Sequence, residues 1–267
     1  MKVALISTAI LACTLTSLQG QLIFDTNVTP DVIFGDGNAN GSWTVSQSSG
    51  IELGLRAKVR FDENGQPQNI FNSNSDGTYD FAPGSYTAST RPDWNFEWAI
   101  NSNFDGNGDN LTAFTYTLSL DWDSGAGTLF STNFDPVNQP YTDNAIGDNS
   151  TGNGDGTSVP LADDATAPEQ IAASIAYTGL IQSNNVAQNS WAYNWFAPID
   201  PLAPGQYTIK LDAYSTIQPD IDSGQSLWIG GTEITVNVVP EPSTIGILSL
   251  AGLGILLIVR KRIKKTA

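Results

Sequence analysis

Ile51-Glu52-Leu53-Gly54-Leu55-Arg56-Ala57-Lys58-Val59-Arg60-Phe61 is the stretch that decides the fold class. Ile51, Leu53, Leu55, Val59 and Phe61 share one phase of a two-residue repeat, and Glu52, Arg56, Lys58 and Arg60 take the other. Successive side chains of a strand point to opposite faces, so the pattern predicts a strand that buries one side. The alternation returns in Trp94, Phe96, Trp98 and Ile100. It returns again in Phe114, Tyr116, Leu118, Leu120 and Trp122, with Thr115, Thr117, Ser119 and Asp121 facing away. Trp191, Tyr193 and Trp195 follow, then Tyr207, Ile209, Leu211 and Ala213, and finally Ile234, Val236 and Val238.

Turn-rich runs separate these segments, among them Asp105-Gly106-Asn107-Gly108-Asp109-Asn110 and the stretch from Gly147 to Gly156. No segment carries a sustained 3.6-residue apolar stripe with convincing caps. Ile171 to Ile181 comes nearest, and Tyr177-Thr178-Gly179 leaves a strand open there. Many short strands joined by Gly, Asn and Asp turns predict an all-β fold, an antiparallel β-sandwich of jelly-roll or immunoglobulin-like type. Ala82-Pro83-Gly84-Ser85-Tyr86-Thr87 and Ala203-Pro204-Gly205-Gln206-Tyr207-Thr208 share the pattern A-P-G-x-Y-T. Pro then Gly suits a type II turn, and the tyrosine two residues on is placed to pin it, as in a tyrosine corner.

The two ends differ from this body. Lys2, the apolar stretch Val3 to Leu15 and the small and polar residues up to Gly20 predict a cleaved signal peptide over residues 1–20. Cys13, the single cysteine, lies inside it; a lipoprotein signal around Ile10-Leu11-Ala12-Cys13 is the alternative. Residues 21–239 form the body and 240–267 a tail. In the tail Pro240-Glu241-Pro242 precedes an apolar span over 244–259, and Arg260-Lys261-Arg262-Ile263-Lys264-Lys265 closes it. Sixteen helical residues make about 24 Å at 1.5 Å each, somewhat short of a ~30 Å hydrocarbon core. The basic cluster stays cytoplasmic under the positive-inside rule, which puts the body outside.

Motif, span and basic cluster, in that order at the end of a chain, resemble the PEP-CTERM sorting domain of Gram-negative bacteria. Exosortases, membrane-embedded cysteine-type transpeptidases often associated with exopolysaccharide production, recognise that domain. The resemblance implies that Pro240, Glu241 and Pro242 are the recognition residues. It also implies inner-membrane anchorage through the span before processing, then release of the body to the cell surface or extracellular matrix. The body is similar to those of other PEP-CTERM proteins in Leu111-Thr112-Ala113-Phe114-Thr115-Tyr116 and Val186-Ala187-Gln188-Asn189-Ser190-Trp191, which brings no activity with it.

The body holds five basic residues, Arg56, Lys58, Arg60, Arg91 and Lys210, against 26 acidic ones, a net charge of −21. Such a surface repels phosphate backbones, so no nucleic-acid partner is expected. The chain has no histidine and the mature body no cysteine, which excludes Ser-His-Asp triads, thiol proteases and His- or Cys-ligated zinc. Carboxylate chemistry survives. Asp121-Trp122-Asp123 on a strand would set two carboxylates on one face, as a glycoside hydrolase needs. Asp105, Asn107 and Asp109 place oxygens at alternate positions of a glycine-rich turn, like the start of a calcium loop, although position twelve is Tyr116 rather than glutamate; Asp148 or Asp155 would have to complete the set. Of the seven tryptophans, Trp94, Trp98, Trp191 and Trp195 fall in phase with core residues and are expected to be buried, whereas Trp43 and Trp228 are less constrained. The expectation is an exported, non-catalytic surface or matrix protein, structural or adhesive in exopolysaccharide. A carbohydrate-binding module is the alternative and a glycoside hydrolase the remoter one.

Overall fold

The computed structural model describes residues 20–62, 64–85, 90–138, 143–196, 198–219 and 226–240, with the side chains of 217–219 excepted. The expected signal peptide apart from Gly20, together with Cys13, Tyr86, Glu241, Pro242, the apolar span and the basic cluster, lies outside the described residues.

Among the described residues twelve strands and one α-helix follow in chain order: β1 (Leu22–Thr26), β2 (Trp43–Ser48), β3 (Ile51–Phe61), β4 (Pro67–Ile70), β5 (Thr78–Phe81), β6 (Trp94–Asn101), β7 (Phe114–Asp121), β8 (Phe130–Phe134), β9 (Ala145–Gly147), α1 (Ala167–Ser183), β10 (Val186–Ala192), β11 (Gly205–Pro219) and β12 (Ser226–Val238). One sheet runs β1-β2-β3-β6-β10-β9, with β4 also on β3; the other runs β5-β12-β11-β7-β8. Every pairing is antiparallel except β5 on β12, which is parallel. The sheets stack, and their inner faces interdigitate in one core. Leu53, Leu55, Phe96 and Trp98 come from the first sheet, and Leu118, Leu120, Ile209, Leu211, Ile234 and Val236 from the second.

The two-sheet prediction stands, with four corrections. The strand expected over Trp191, Tyr193 and Trp195 ends at Ala192, and residues 193–195 turn as a 3₁₀ helix. The period-two phase then no longer applies. Trp195 is 57% exposed instead of buried, and the Arg91 guanidinium lies over its ring at 5.4 Å. In the same way β7 stops at Asp121, so Trp122 leaves the core and is 39% exposed.

The third correction is α1. Thr166 and Glu169 form a capping box, in which the carboxylate accepts the Thr166 backbone N–H (2.7 Å) and its hydroxyl (2.6 Å). Those bonds hold the Glu169 carboxyl below its ordinary range. Only Tyr177 and Ile181, one turn apart, are buried, while Ile171 and Ile175 face solvent, which explains the weak apolar stripe. Tyr177 fastens the helix by donating to the Val137 carbonyl at 2.6 Å and accepting from Asn144 at 3.0 Å.

Alternation predicted one buried face for β3, but both are covered. Residues Val28, Val32, Ile33 and Phe34 of the 27–42 loop lie over the outer face and form a second apolar cluster with Trp43, Val45, Ala99, Ala145 and Val186. Under that loop, Arg56 and Glu97 sit opposite each other on β3 and β6, Nε to Oε2 2.6 Å, both fully buried. Lys58 approaches the other carboxylate oxygen at 3.5 Å. Arg56 Nη1 donates to the Ala39 and Gly41 carbonyls (2.8 and 2.7 Å), and its guanidinium lies between the rings of Trp43 and Phe71, 4.2 and 4.5 Å from their centroids. Lys58 donates to Asn38 Oδ1 at 2.5 Å. Gln188 grips the same loop, donating to the Asp31 carbonyl and accepting from the Ile33 N–H.

Burial alone would push the Glu97 carboxyl up; Arg56 and Lys58 outweigh it and hold the group below its ordinary range. A carboxyl with a depressed folded pKa contributes stability above its unfolded value and loses it as pH falls through the folded one. Glu97→Leu should therefore cost about 3–5 kcal/mol in urea unfolding, because two buried cations lose their counter-charge. Glu97→Gln should flatten the loss of stability below about pH 4.3, the ordinary glutamate value; an unchanged slope would remove Glu97 from the acid transition. On α1, a β-carbon at Gly179 meets open space. Gly179→Ala should raise stability by about 0.5–1 kcal/mol in the same measurement.

Candidate functional site

The expected sorting motif begins where the fold ends. Val238 closes β12 between two neighbours, paired with Gly205 of β11 on one side and with Phe81 of β5 on the other. The Val239 N–H adds one more bond, to the Phe81 carbonyl at 2.9 Å. Pro240 has no N–H to continue the ladder and is exposed. Both Ala-Pro-Gly turns lie at this junction, where the Gly84 N–H donates to the Pro201 carbonyl at 3.0 Å. In the second turn a β-carbon at Gly205 would lie 2.7 Å from the Tyr207 hydroxyl, so the phenol closes over the glycine. The Tyr207 ring is in the core against Trp94 and Tyr193.

Asp105, Asn107 and Asp109 lie together on the predicted loop, which bends through Gly106 and Gly108 at positive φ. Their oxygens are turned to their own backbone: Asp105 Oδ1 accepts the Asn107 N–H (3.3 Å) and Asn107 Oδ1 the Asp109 N–H (3.0 Å). The 147–156 run is joined to this loop by Asn149, which donates to the Asn103 carbonyl and accepts from Asn101 and Asn185. Asp148, however, is taken up by Ser150, whose hydroxyl lies 2.6 Å away and holds the carboxyl low. Among the described residues no group of three or more His, Cys, Asp or Glu side chains is arranged to hold a metal ion.

Asp123 lies past the end of β7, so the strand geometry that would set Asp121 and Asp123 on one face does not extend to it. Asp121 ends β7 fully buried and caps the following turn by accepting the Asp123 N–H at 2.9 Å; Asp123 in turn accepts the Gly125 N–H at 2.9 Å. Both carboxylates shape the β7–β8 connection.

A cluster that the sequence did not single out lies on the outer face of the second sheet. Asp212 on β11 accepts from Lys210 Nζ (2.9 Å) and, through its other oxygen, from the Trp228 indole (2.8 Å). Tyr214 stands opposite Trp228, and Glu233 opposite Lys210. Lys210, Asp212, Trp228 and Glu233, with Gly20, Leu22, Gly231 and Thr232, line a cleft of about 450 Å³. Partial burial raises the Glu233 carboxyl, Lys210 lowers it in part, and Asp212 adds to the rise. For Lys210, burial lowers the ammonium but Asp212 more than offsets it and holds it above its ordinary value. The alternation of β11 already placed Lys210 and Asp212 on one face. What hid the cluster was β12, which begins at Ser226, eight residues before its recognisable apolar alternation at Ile234.

At this junction the last core strand passes directly into a tail whose order of prolines, apolar run and basic cluster is that of a sorting signal. A family model described as the PEP-CTERM protein-sorting motif matches residues 238–262, starting on the last residue of β12. The chain therefore carries a PEP-CTERM sorting motif and is a protein exported for handling by an exosortase. No curated protein and no solved structure matches the chain.

Gly231 lets the Asp212 carboxylate lie flat against β12, since a β-carbon there would overlap Asp212 Oδ1. Gly231→Ala should cost about 1–3 kcal/mol, the ordinary range for forced overpacking, and should shift the emission of Trp228 as its indole loses Asp212. Emission identical to the parent would separate the indole from the carboxylate.

Proposed function

We propose that the acidic sandwich is a non-catalytic surface or extracellular-matrix protein, delivered by an exosortase and structural or adhesive within exopolysaccharide. One observation carries this reading: the sorting motif follows the last core strand without a spacer, so removal of the tail leaves the complete sandwich as the product. A body with no histidine and no mature cysteine has neither a His-based triad nor a thiol nucleophile, and its Asp121 and Asp123 each cap a turn.

Carbohydrate binding is the second reading, favoured by the cleft at Trp228. An indole, a Lys-Asp pair and a second carboxylate, Glu233, around an open cleft combine a stacking surface with fixed donors and acceptors, the usual make-up of a site for a polar ring. The cleft lies away from the junction, on a face that stays free when the tail is gone.

Intact-mass measurement on the protein recovered from its native host tests the delivery. The mature species should lack the span and basic cluster, and Pro240→Ala/Glu241→Ala/Pro242→Ala should accumulate with its tail. A parent protein that still ends at Ala267 defeats the reading. For the cleft, polysaccharide from the same host should quench tryptophan fluorescence in the parent and much less in Trp228→Phe. Equal quenching in the two would move glycan contact elsewhere.

A further inference from the structure

The exposed apolar side chains are not scattered evenly. Trp122, Leu129, Trp195, Leu202 and Val239 are all exposed. The topology gathers them at one end of the sandwich. Trp122 and Leu129 flank the β7–β8 turn, Trp195 follows β10, Leu202 precedes β11, and Val239 follows β12. Hydrogen bonds tie this end together: Tyr193 donates to the Asp121 carbonyl, Gln206 N–H to the Ser124 carbonyl and Gly84 N–H to the Pro201 carbonyl. Exposed Ile171 and Ile175 lie on α1 at the opposite end, while Ile23, Phe24 and Ile70 lie on the edge strands β1 and β4. Of the seven tryptophans, the two most exposed, Trp122 and Trp195, are both at the end from which the tail leaves.

The tether fixes what that end faces. Pro240, Glu241, Pro242 and Ser243 separate Val239 from the apolar span. Four extended residues reach about 14 Å at most. The interfacial layer on each side of a bilayer is itself roughly 5–7 Å thick. A span shorter than the hydrocarbon core also draws its flanking residues toward the membrane. While the tail is attached, the exit end therefore cannot move far from the lipid headgroups, the zone where tryptophan is enriched. A body with a charge of −21 gains nothing from anionic lipid, so contact has to come from aromatic and aliphatic side chains.

We propose that the exit end of the sandwich rests on the bilayer surface in the tail-bearing form, with Trp122 and Trp195 in the headgroup layer, and that this contact ends when the tail is cut. The proposal rests on the sorting-tail reading above. It adds an orientation: the Trp228 cleft stands on the side of the sandwich and stays open while the exit end is occupied.

The test uses the tail-bearing protein in phosphatidylcholine vesicles, prepared with plain or acyl-brominated lipid. All tryptophans belong to the body, since residues 240–267 contain none, so any quenching by bromine reports body contact. The protein should float with the vesicles and be quenched by the brominated lipid. Trp122→Ala/Trp195→Ala should float equally and lose most of that quenching. Ile171→Ser/Ile175→Ser, at the far end, should behave as the parent. Flotation with equal fluorescence in the two lipids overturns the docking while the tail reading survives, and leaves the apolar end to a protein partner. Protein that stays at the bottom of the gradient overturns the tail reading and the docking together.

Discussion

Glu97 has no contact with water and answers two buried cations, and the outer half of the molecule depends on that arrangement. Removing a carboxylate and a guanidinium from water is expensive, and their attraction repays it only where geometry and further hydrogen bonds are good. Three of the four further bonds that the two cations make run to one segment, and the fourth joins Lys58 to Asn69. Arg56 holds the carbonyls of Ala39 and Gly41, and Lys58 holds Asn38. The ion cluster thus acts as a clasp that fastens the 27–42 loop over the larger sheet, and the loop in return keeps the cluster dry. The molecule gains a third layer over one face of the larger sheet, built on Val28, Val32, Ile33 and Phe34.

The sandwich was legible wherever a strand has one face toward the central core. Ile51 to Phe61, Trp94 to Ile100, Phe114 to Leu120 and Tyr207 to Ala213 follow the alternation because the opposite sheet imposes it. The edge strands β1, β4, β8 and β9 carry no such imprint. On β2 the apolar Trp43 and Val45 face the loop instead, and Ser46 and Ser48 face the other sheet. Polar side chains at Glu52, Arg56 and Lys58 read as solvent-facing for a sound local reason. Their burial is a tertiary fact, set by a loop of irregular sequence. The helix was hidden by its shallow footing on Tyr177 and Ile181, although Thr166 and Glu169 spell a capping box at its start.

Among the site residues, the tail was legible because its signal is linear: prolines, an apolar run and a basic stop are read by order alone. The Trp228 cleft joins β11 to the irregular first half of β12 and needs the register to appear. Trp122 and Trp195 were misplaced by extending a two-residue period past the point where the chain turns. Both errors fall at the same end of the sandwich, where strands give way to turns and aromatic side chains lose their opposite sheet.

The parallel pairing of β5 with β12 also ties distant parts of the chain together. β12 is an interior strand of its sheet, with β5 on one side and β11 on the other, yet among the described strands it comes last in chain order. Without it β5 has no strand neighbour in its sheet and the inner face beneath it stays open. Contacts between segments this far apart in sequence form slowly. The strand that completes the second sheet is the one whose last residue opens the matched sorting motif, so the sandwich closes through the same segment that leads into the signal.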